Sequence, residues 1–180
     1  MKQTDRSINI VDQDKIEAFK SYDLTPNDIE FIKEVCKEIH EAIPQKAFNC
    51  AQLSALLGAT ITDHSSIPAV VMSGHLDYNN SSIFKCNKPI SCKPGLTTIN
   101  EIWDGHCWVE IPHYIIDNSI FRTVYYGNFP KKFKQQIIKQ FGQGRGTLIS
   151  PAEQMKTIGF EYIPCFEIEN VIIDGLIKGI

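Results

Sequence analysis

Apolar residues recur at two periods along this chain, and each period predicts a set of elements. From Thr25 to Pro44 the spacing is helical, with Ile29, Ile32, Val35, Cys36, Ile39 and Ile43 on one stripe. Thr25 suits the N-cap and Pro26 the first helical position; Asp28 and Glu30 suit the positive end, and Pro44 stops the run. A second helix is predicted from Asn49, a good capping residue, to Gly58, a plausible C-terminal stop. A third, basic and amphipathic, covers Lys131 to Phe141 with Phe133, Ile137, Ile138 and Phe141 inward. Its lysines read as a solvated face or as a contact for an acidic partner.

Alternation of period two predicts strands over 67–78, 106–111 and 114–117, with shorter ones at 83–86 and 160–163. Thr60 to Ser66 reads as a polar connection. Ile120 to Tyr126 reads as an aromatic-rich edge that continues the sheet or leaves it. Ser150-Pro151-Ala152-Glu153 has capping-box spacing for a short helix. The stretch from Glu169 to Ile180 is apolar enough to dock as strand or helix. Asn79 to Asn100 is a loop-rich insertion placed to shape access to a site. Residues 1–24 form a polar arm, packed on the domain or partly disordered, and 25–180 form one domain. His40 is expected to be solvated or at a helix end.

Bulk composition narrows the classes. A length of 180 residues fits one domain with a sizeable core. The net charge of −3 argues against a nucleic-acid partner, which usually needs a basic face. No apolar run reaches the length of a membrane span, and no apolar signal segment follows Met1-Lys2-Gln3. Six cysteines without framework spacing suit a reducing, cytoplasmic setting, with export by a signal-independent route left open.

The chemistry concentrates in Gly105 to Ser119. With Pro112-His113 as a two-residue turn, Ile111 faces Tyr114, Glu110 faces Ile115, Trp108 faces Asp117 and His106 faces Ser119. His106 and Asp117 then share one sheet face as diagonal neighbours, and a one-residue slip would separate them. Trp108 and Glu110 lie on that same face, and Cys107 on the opposite one, in the core. Upstream, Cys50 falls in the first turn of the second helix, where free amides and the helix dipole favour thiolate over thiol. By itself a cysteine at a helix start is more often a small buried residue. Together with the hairpin it completes a set of nucleophile, base and orienting acid.

The order Cys50, then His106-x-Trp108-x-Glu110, then Asp117 resembles the transglutaminase-like branch of the papain-like cysteine enzymes. The resemblance covers roughly Asn49 to Ser119. It implies an α+β fold in which the nucleophile helix packs on an antiparallel sheet. It also implies Cys50 as nucleophile, His106 as base and Asp117 as orienting acid, and it makes Trp108 a neighbour of the triad. Glu110 recurs in the family motif and reads as support behind the triad or as a solvated strand-end carboxylate. Asn49 and Gln45 are candidates for an amide donor to the oxyanion, and both equally fit loop or capping roles. The implied activity is acyl transfer or hydrolysis at an amide or peptide bond, of protease, amidase, deamidase or transglutaminase type. The substrate is a protein, a peptide or a small amide, and no metal or organic cofactor is required. Cys107 stands where the family usually has a small residue, and Asn118-Ser119 replace the common Pro-Thr after the acid.

Two other classes stay open at this stage. One is a non-catalytic binding module on the same fold. The other is a metal or redox protein built on Cys86, Cys92 and Cys107, although Cys86 and Cys92 are spaced wider than metal-ligand pairs usually are.

Overall fold

The computed structural model describes residues 13–91, 98–99 and 103–180. Within the N-terminal arm, α1 spans Gln13–Ser21. It docks Ile16 and Phe19 on the core, and Lys15 pairs with Glu167. Helix α2, Pro26–Ala42, starts as the sequence predicts. The Thr25 hydroxyl accepts the Asp28 N–H, and the Asp28 carboxylate accepts the Thr25 N–H at 2.8 Å, a reciprocal cap. Its inward stripe buries Ile32, Val35, Cys36 and Ile39.

Helix α3 spans Cys50–His64 and runs through the expected stop at Gly58. The polar connection predicted for 60–66 is mostly helix. Thr60 and Thr62 return their hydroxyls to the carbonyls of Leu56 and Gly58, and Ile61 between them is fully buried. Gly58 is a packing glycine. A Cβ there would lie 2.4 Å from a methyl of Val71, so its bare backbone lets the helix sit on the sheet.

The described strands form one six-stranded antiparallel sheet: β1 Val70–Tyr78, β2 Ser81–Phe84, β3 His106–Ile111, β4 Tyr114–Asp117, β5 Leu148–Pro151 and β6 Phe160–Glu167. Strand β1 is central. β6 runs along one of its edges, while β3 and β2 share the other, β3 on Val70–Gly74 and β2 on Leu76–Tyr78. The end of β2 therefore meets the start of β3. The hairpin register of β3 and β4 is the predicted one, with Ile111 opposite Tyr114 and Glu110 opposite Ile115. Strand β6 extends past Pro164, which sits beside an irregularity in its pairing with β1, where a missing N–H is tolerated. The expected strand at 83–86 lies two residues earlier, and β5 had no counterpart in the sequence reading.

Residues 120–126 form α4, Ile120–Tyr126, and not a sheet edge. The Asp117 carboxylate accepts the N–H groups of Ser119 and Ile120 and turns the chain out of β4. Helix α5, Lys131–Phe141, buries Ile137, as its amphipathic pattern requires. Ser150 belongs to β5 and does not cap. The short 3-10 turn at Ala152–Gln154 has no side-chain cap. Helix α6, Asn170–Ile177, packs on α3.

Two apolar layers result. One face of the sheet (Val71, Cys107, Val109, Ile111, Ile116) packs with α2, α3 and α6. The other face (Val70, Met72, Trp108, Ile115, Leu148, Phe160, Tyr162) packs with α4 and α5. Among the described residues no helix is long and apolar enough to cross a membrane.

Gly74 lies opposite His106 in the register of β1 and β3. A Cβ there would stand 2.1 Å from the carbonyl oxygen of Ile163 and 2.6 Å from the Trp108 ring. Backbone cannot yield as a side chain does. Gly74→Ala is therefore expected to destabilise the fold by about 1–3 kcal/mol, measured as a lower urea midpoint at unchanged slope.

Candidate active site

Three elements bring the site together. The first is the hairpin, whose alternation puts His106, Trp108 and Glu110 on the face of the α4 layer. The second is the end of β4, which carries Asp117. The third is the start of α3, which carries Cys50 in the layer of the other face. Because β3 begins at His106, the two faces meet at the end of a strand.

His106 Nε2 and Asp117 Oδ2 are 2.6 Å apart, and both side chains are fully buried. Asp117 is held by more than the imidazole. Its Oδ1 accepts the Ser119 N–H and hydroxyl and the Ile120 N–H, and its Oδ2 also accepts the Tyr162 hydroxyl at 2.8 Å. Burial alone would raise the Asp117 pKa. The His106 charge and hydrogen bond, with the Ser119 and Tyr162 donors, more than offset it, and the carboxyl is held below its usual value. Burial likewise opposes a charged His106, but the Asp117 carboxylate dominates and pushes the imidazole up to about 10.

The His106 Nδ1 is buried and makes no well-formed hydrogen bond. The Cys50 sulfur is close enough to act on the ring by charge and by weak hydrogen bonding. Cys50 is held well below an ordinary thiol. A hydrogen bond from the Cys107 thiol is the largest cause. Burial opposes it, and His106 and the Cys107 backbone N–H add to it. Cys107 is core, as its strand position predicts, and it is also a direct neighbour of the nucleophile candidate. Burial pushes its own thiol well up, so it stays protonated and donates.

Asn49 occupies the N-cap position of α3, but its side chain does not cap. Its Oδ1 is buried without a partner. The first ladder bond of the helix is Leu53 N–H to Asn49 C=O, so the amides of Cys50, Ala51 and Gln52 precede the ladder. Gln45 is exposed, and its Oε1 accepts the Tyr126 hydroxyl. No described contact joins it to Cys50. Trp108 is fully buried beside His106, its indole N–H donating to Glu110 Oε1 at 2.9 Å. Glu110 is nearly buried, which fits support of Trp108 better than a solvated strand end.

Further contributors had no sequence signal. Phe84 stacks on the His106 ring at 4.8 Å, because β2 ends where β3 begins. Tyr162 reaches Asp117 from β6, and Ser119 from the helix turn. Arg122, buried on α4, donates to His40 Nδ1 at 2.7 Å and to the Pro44 carbonyl at 3.4 Å. It thereby ties the loop before Cys50 to the helix after Asp117. His40 lies in the last turn of α2, the helix-end position expected of it, and is half-buried. Burial and the neighbouring Arg122 lower its pKa. Trp103 donates its indole N–H to the Lys88 carbonyl and packs at the core margin.

No family model and no curated protein matches the chain. Among solved structures, one described as "The crystal structure of genomics APC5867" aligns over 80% of this chain and 69% of its own, at 14% identity and a TM-score of 0.36. Among the described residues no group of three or more His, Cys, Asp or Glu is arranged to hold a metal ion. Cys92, one of the residues of the metal reading, lies outside the described residues.

Raised to about 10, His106 contributes stability in full below the free imidazole value of 6.5 and loses it as pH rises through about 10. Lowered Cys50 contributes stability present above the free thiol value of 9.0 and lost as pH falls through its own lowered value. Between 6.5 and 9.0 the folded ion pair and the two free groups bind equal numbers of protons, so these trends cancel. Cys50→Ala removes one of them. Its melting temperature is expected to fall from pH 6.5 to 9.0 relative to wild type, as paired thermal melts would show. Parallel curves would mean that Asp117 by itself does not keep His106 raised.

Proposed function

We propose that this chain is a cysteine-dependent acyl transferase or hydrolase on a papain-like, transglutaminase-like core. The observation that carries the reading is the buried His106–Asp117 pair beside a Cys50 thiol held well below its ordinary pKa at a helix start.

In the resting site the proton sits on His106 and the charge on Cys50. The thiolate attacks an amide or peptide carbonyl carbon, and the oxygen takes the negative charge. Free amides at the start of α3, Cys50 N–H first, are the donors nearest to that oxygen, and the Asn49 side chain is the neighbouring polar group. His106 then gives its proton to the leaving amine, and the C–N bond breaks. Water, deprotonated by His106, releases the acid; alternatively a primary amine takes its place and a new amide forms. Asp117 holds the imidazole in orientation and stabilises its cationic form throughout. The buried Trp108 keeps water from the ring, and Glu110 fixes the indole. Every step uses side chains and backbone of this chain, with a protein, peptide or small amide as the acyl donor.

Cys50→Ala is expected to remain folded and to lose the fast component of iodoacetamide alkylation, which peptide mass spectrometry should assign to residue 50 among the six cysteines of the wild type. Wild-type alkylation should persist well below the pH at which an ordinary thiol stops reacting, and His106→Ala should move the profile toward the ordinary one, the Cys107 hydrogen bond remaining. A wild-type Cys50 as slow as a free thiol would remove the reading. Asp117→Asn should lower acyl transfer by about 10³–10⁴-fold while binding changes little, measured as kcat against KM.

A further inference from the structure

A groove of about 530 Å³ lies between the β1–β2 hairpin and the start of α5, one aromatic ring, Phe84, separating its Phe129 wall from His106. Tyr78, Ile83, Phe129 and Phe133 make apolar walls, with Lys132 among the polar groups that line it. Rings join this groove to the site. Phe129 lies 6.2 Å from Phe84, which stacks on His106, and 6.0 Å from Phe48, two residues before Cys50.

Phe48 is an unusual residue. It is 60% exposed, and its backbone φ is +62°, a region where a phenylalanine is strained. Neither burial nor backbone preference accounts for a large ring there. Its ring packs against Phe129, a wall of the groove, and so spans from that wall to the loop before Cys50.

The occupant can be read from two further observations. Among the described residues strand β2 pairs only with β1, so its outer edge offers backbone donors and acceptors to an extended chain. Lys132 is exposed and has no ion-pair partner among the described residues, and Lys131 beside it adds to the positive rim. Apolar walls, a free strand edge and an unpaired cation together fit an extended peptide better than a compact small amide.

We propose that this groove is the specificity subsite for a peptide substrate, taking an aromatic or branched apolar side chain while Lys132 pairs with an adjacent carboxylate. The assignment rests on the proposed function for its catalytic meaning, but its binding can be read separately. Fluorescein-labelled acetyl-Glu-Phe-Gly-Gly amide and its Ala-for-Phe and Lys-for-Glu analogues are titrated into the Cys50→Ala protein and followed by fluorescence polarisation. The Phe peptide is expected to bind about tenfold or more tighter than the Ala peptide. Ser82→Trp, at an exposed groove position, should fill the space and remove that preference, and Lys132→Glu should reverse the preference for Glu over Lys. Equal binding of the Phe and Ala peptides, or binding indifferent to both substitutions, overturns the subsite. Iodoacetamide kinetics on wild-type Cys50 keep the two ideas apart. Fast alkylation with no peptide discrimination sinks the groove alone. Discrimination with a sluggish Cys50 supports the groove and sinks the catalytic reading.

Discussion

A carboxylate with no solvent exposure organises this molecule. An ionised group in a dry interior is several kcal/mol unfavourable unless donors replace the lost water. Asp117 has five: the His106 ring, the Ser119 amide and hydroxyl, the Ile120 amide and the Tyr162 hydroxyl. Those donors come from β3, from the turn into α4 and from β6. One side chain thus locks the hairpin, begins a helix and binds a strand from the far end of the chain. The same interactions that satisfy the carboxylate also turn the imidazole and keep it cationic.

The sulfur is governed by a second balance. Burial favours a neutral thiol, whereas the Cys107 thiol and amide and the His106 charge favour the anion, and the anion prevails. That outcome depends on where two layers meet. Cys50 belongs to the layer of α2, α3 and α6, and the pair of His106 and Asp117 to the opposite face. They meet at the start of β3, where His106 is followed by Cys107 on the opposite face. Sharing one edge of β1 between two strands has a further effect: it lays Phe84 over the imidazole and, among the described residues, leaves the outer edge of β2 open beside an aromatic groove.

Much of this was legible where the physics is local. The α2 cap, its buried stripe and the α5 stripe follow from spacing within a few residues. The hairpin register follows from alternation and a two-residue turn, which is why His106 and Asp117 could be paired from sequence. Illegible features depended on distant partners. Gly58 looked like a helix stop because its packing against Val71 cannot be seen locally. Residues 120–126 read as an aromatic-rich edge that continues the sheet or leaves it, because their aromatics suit a strand, while the helix is begun by hydrogen bonds to Asp117. Ser150 looked like a cap, but pairing with β4 claims it. Gln45 and Asn49 were equal amide candidates on spacing; one faces solvent and binds Tyr126, and the other lies buried at the helix start.

What the sequence by itself determined was the set of elements with a strong period and the order of three chemically capable residues along the chain. Periodicity is a property of neighbours, so it survives without a fold. What only the tertiary structure decided was the ionisation of those residues and the company they keep: Tyr162 on Asp117, Cys107 on Cys50, Phe84 on His106, and Arg122 bracing the loop before Cys50. Charge in a protein interior is set by burial and by donors from other segments, and chain order carries no record of which segments will meet.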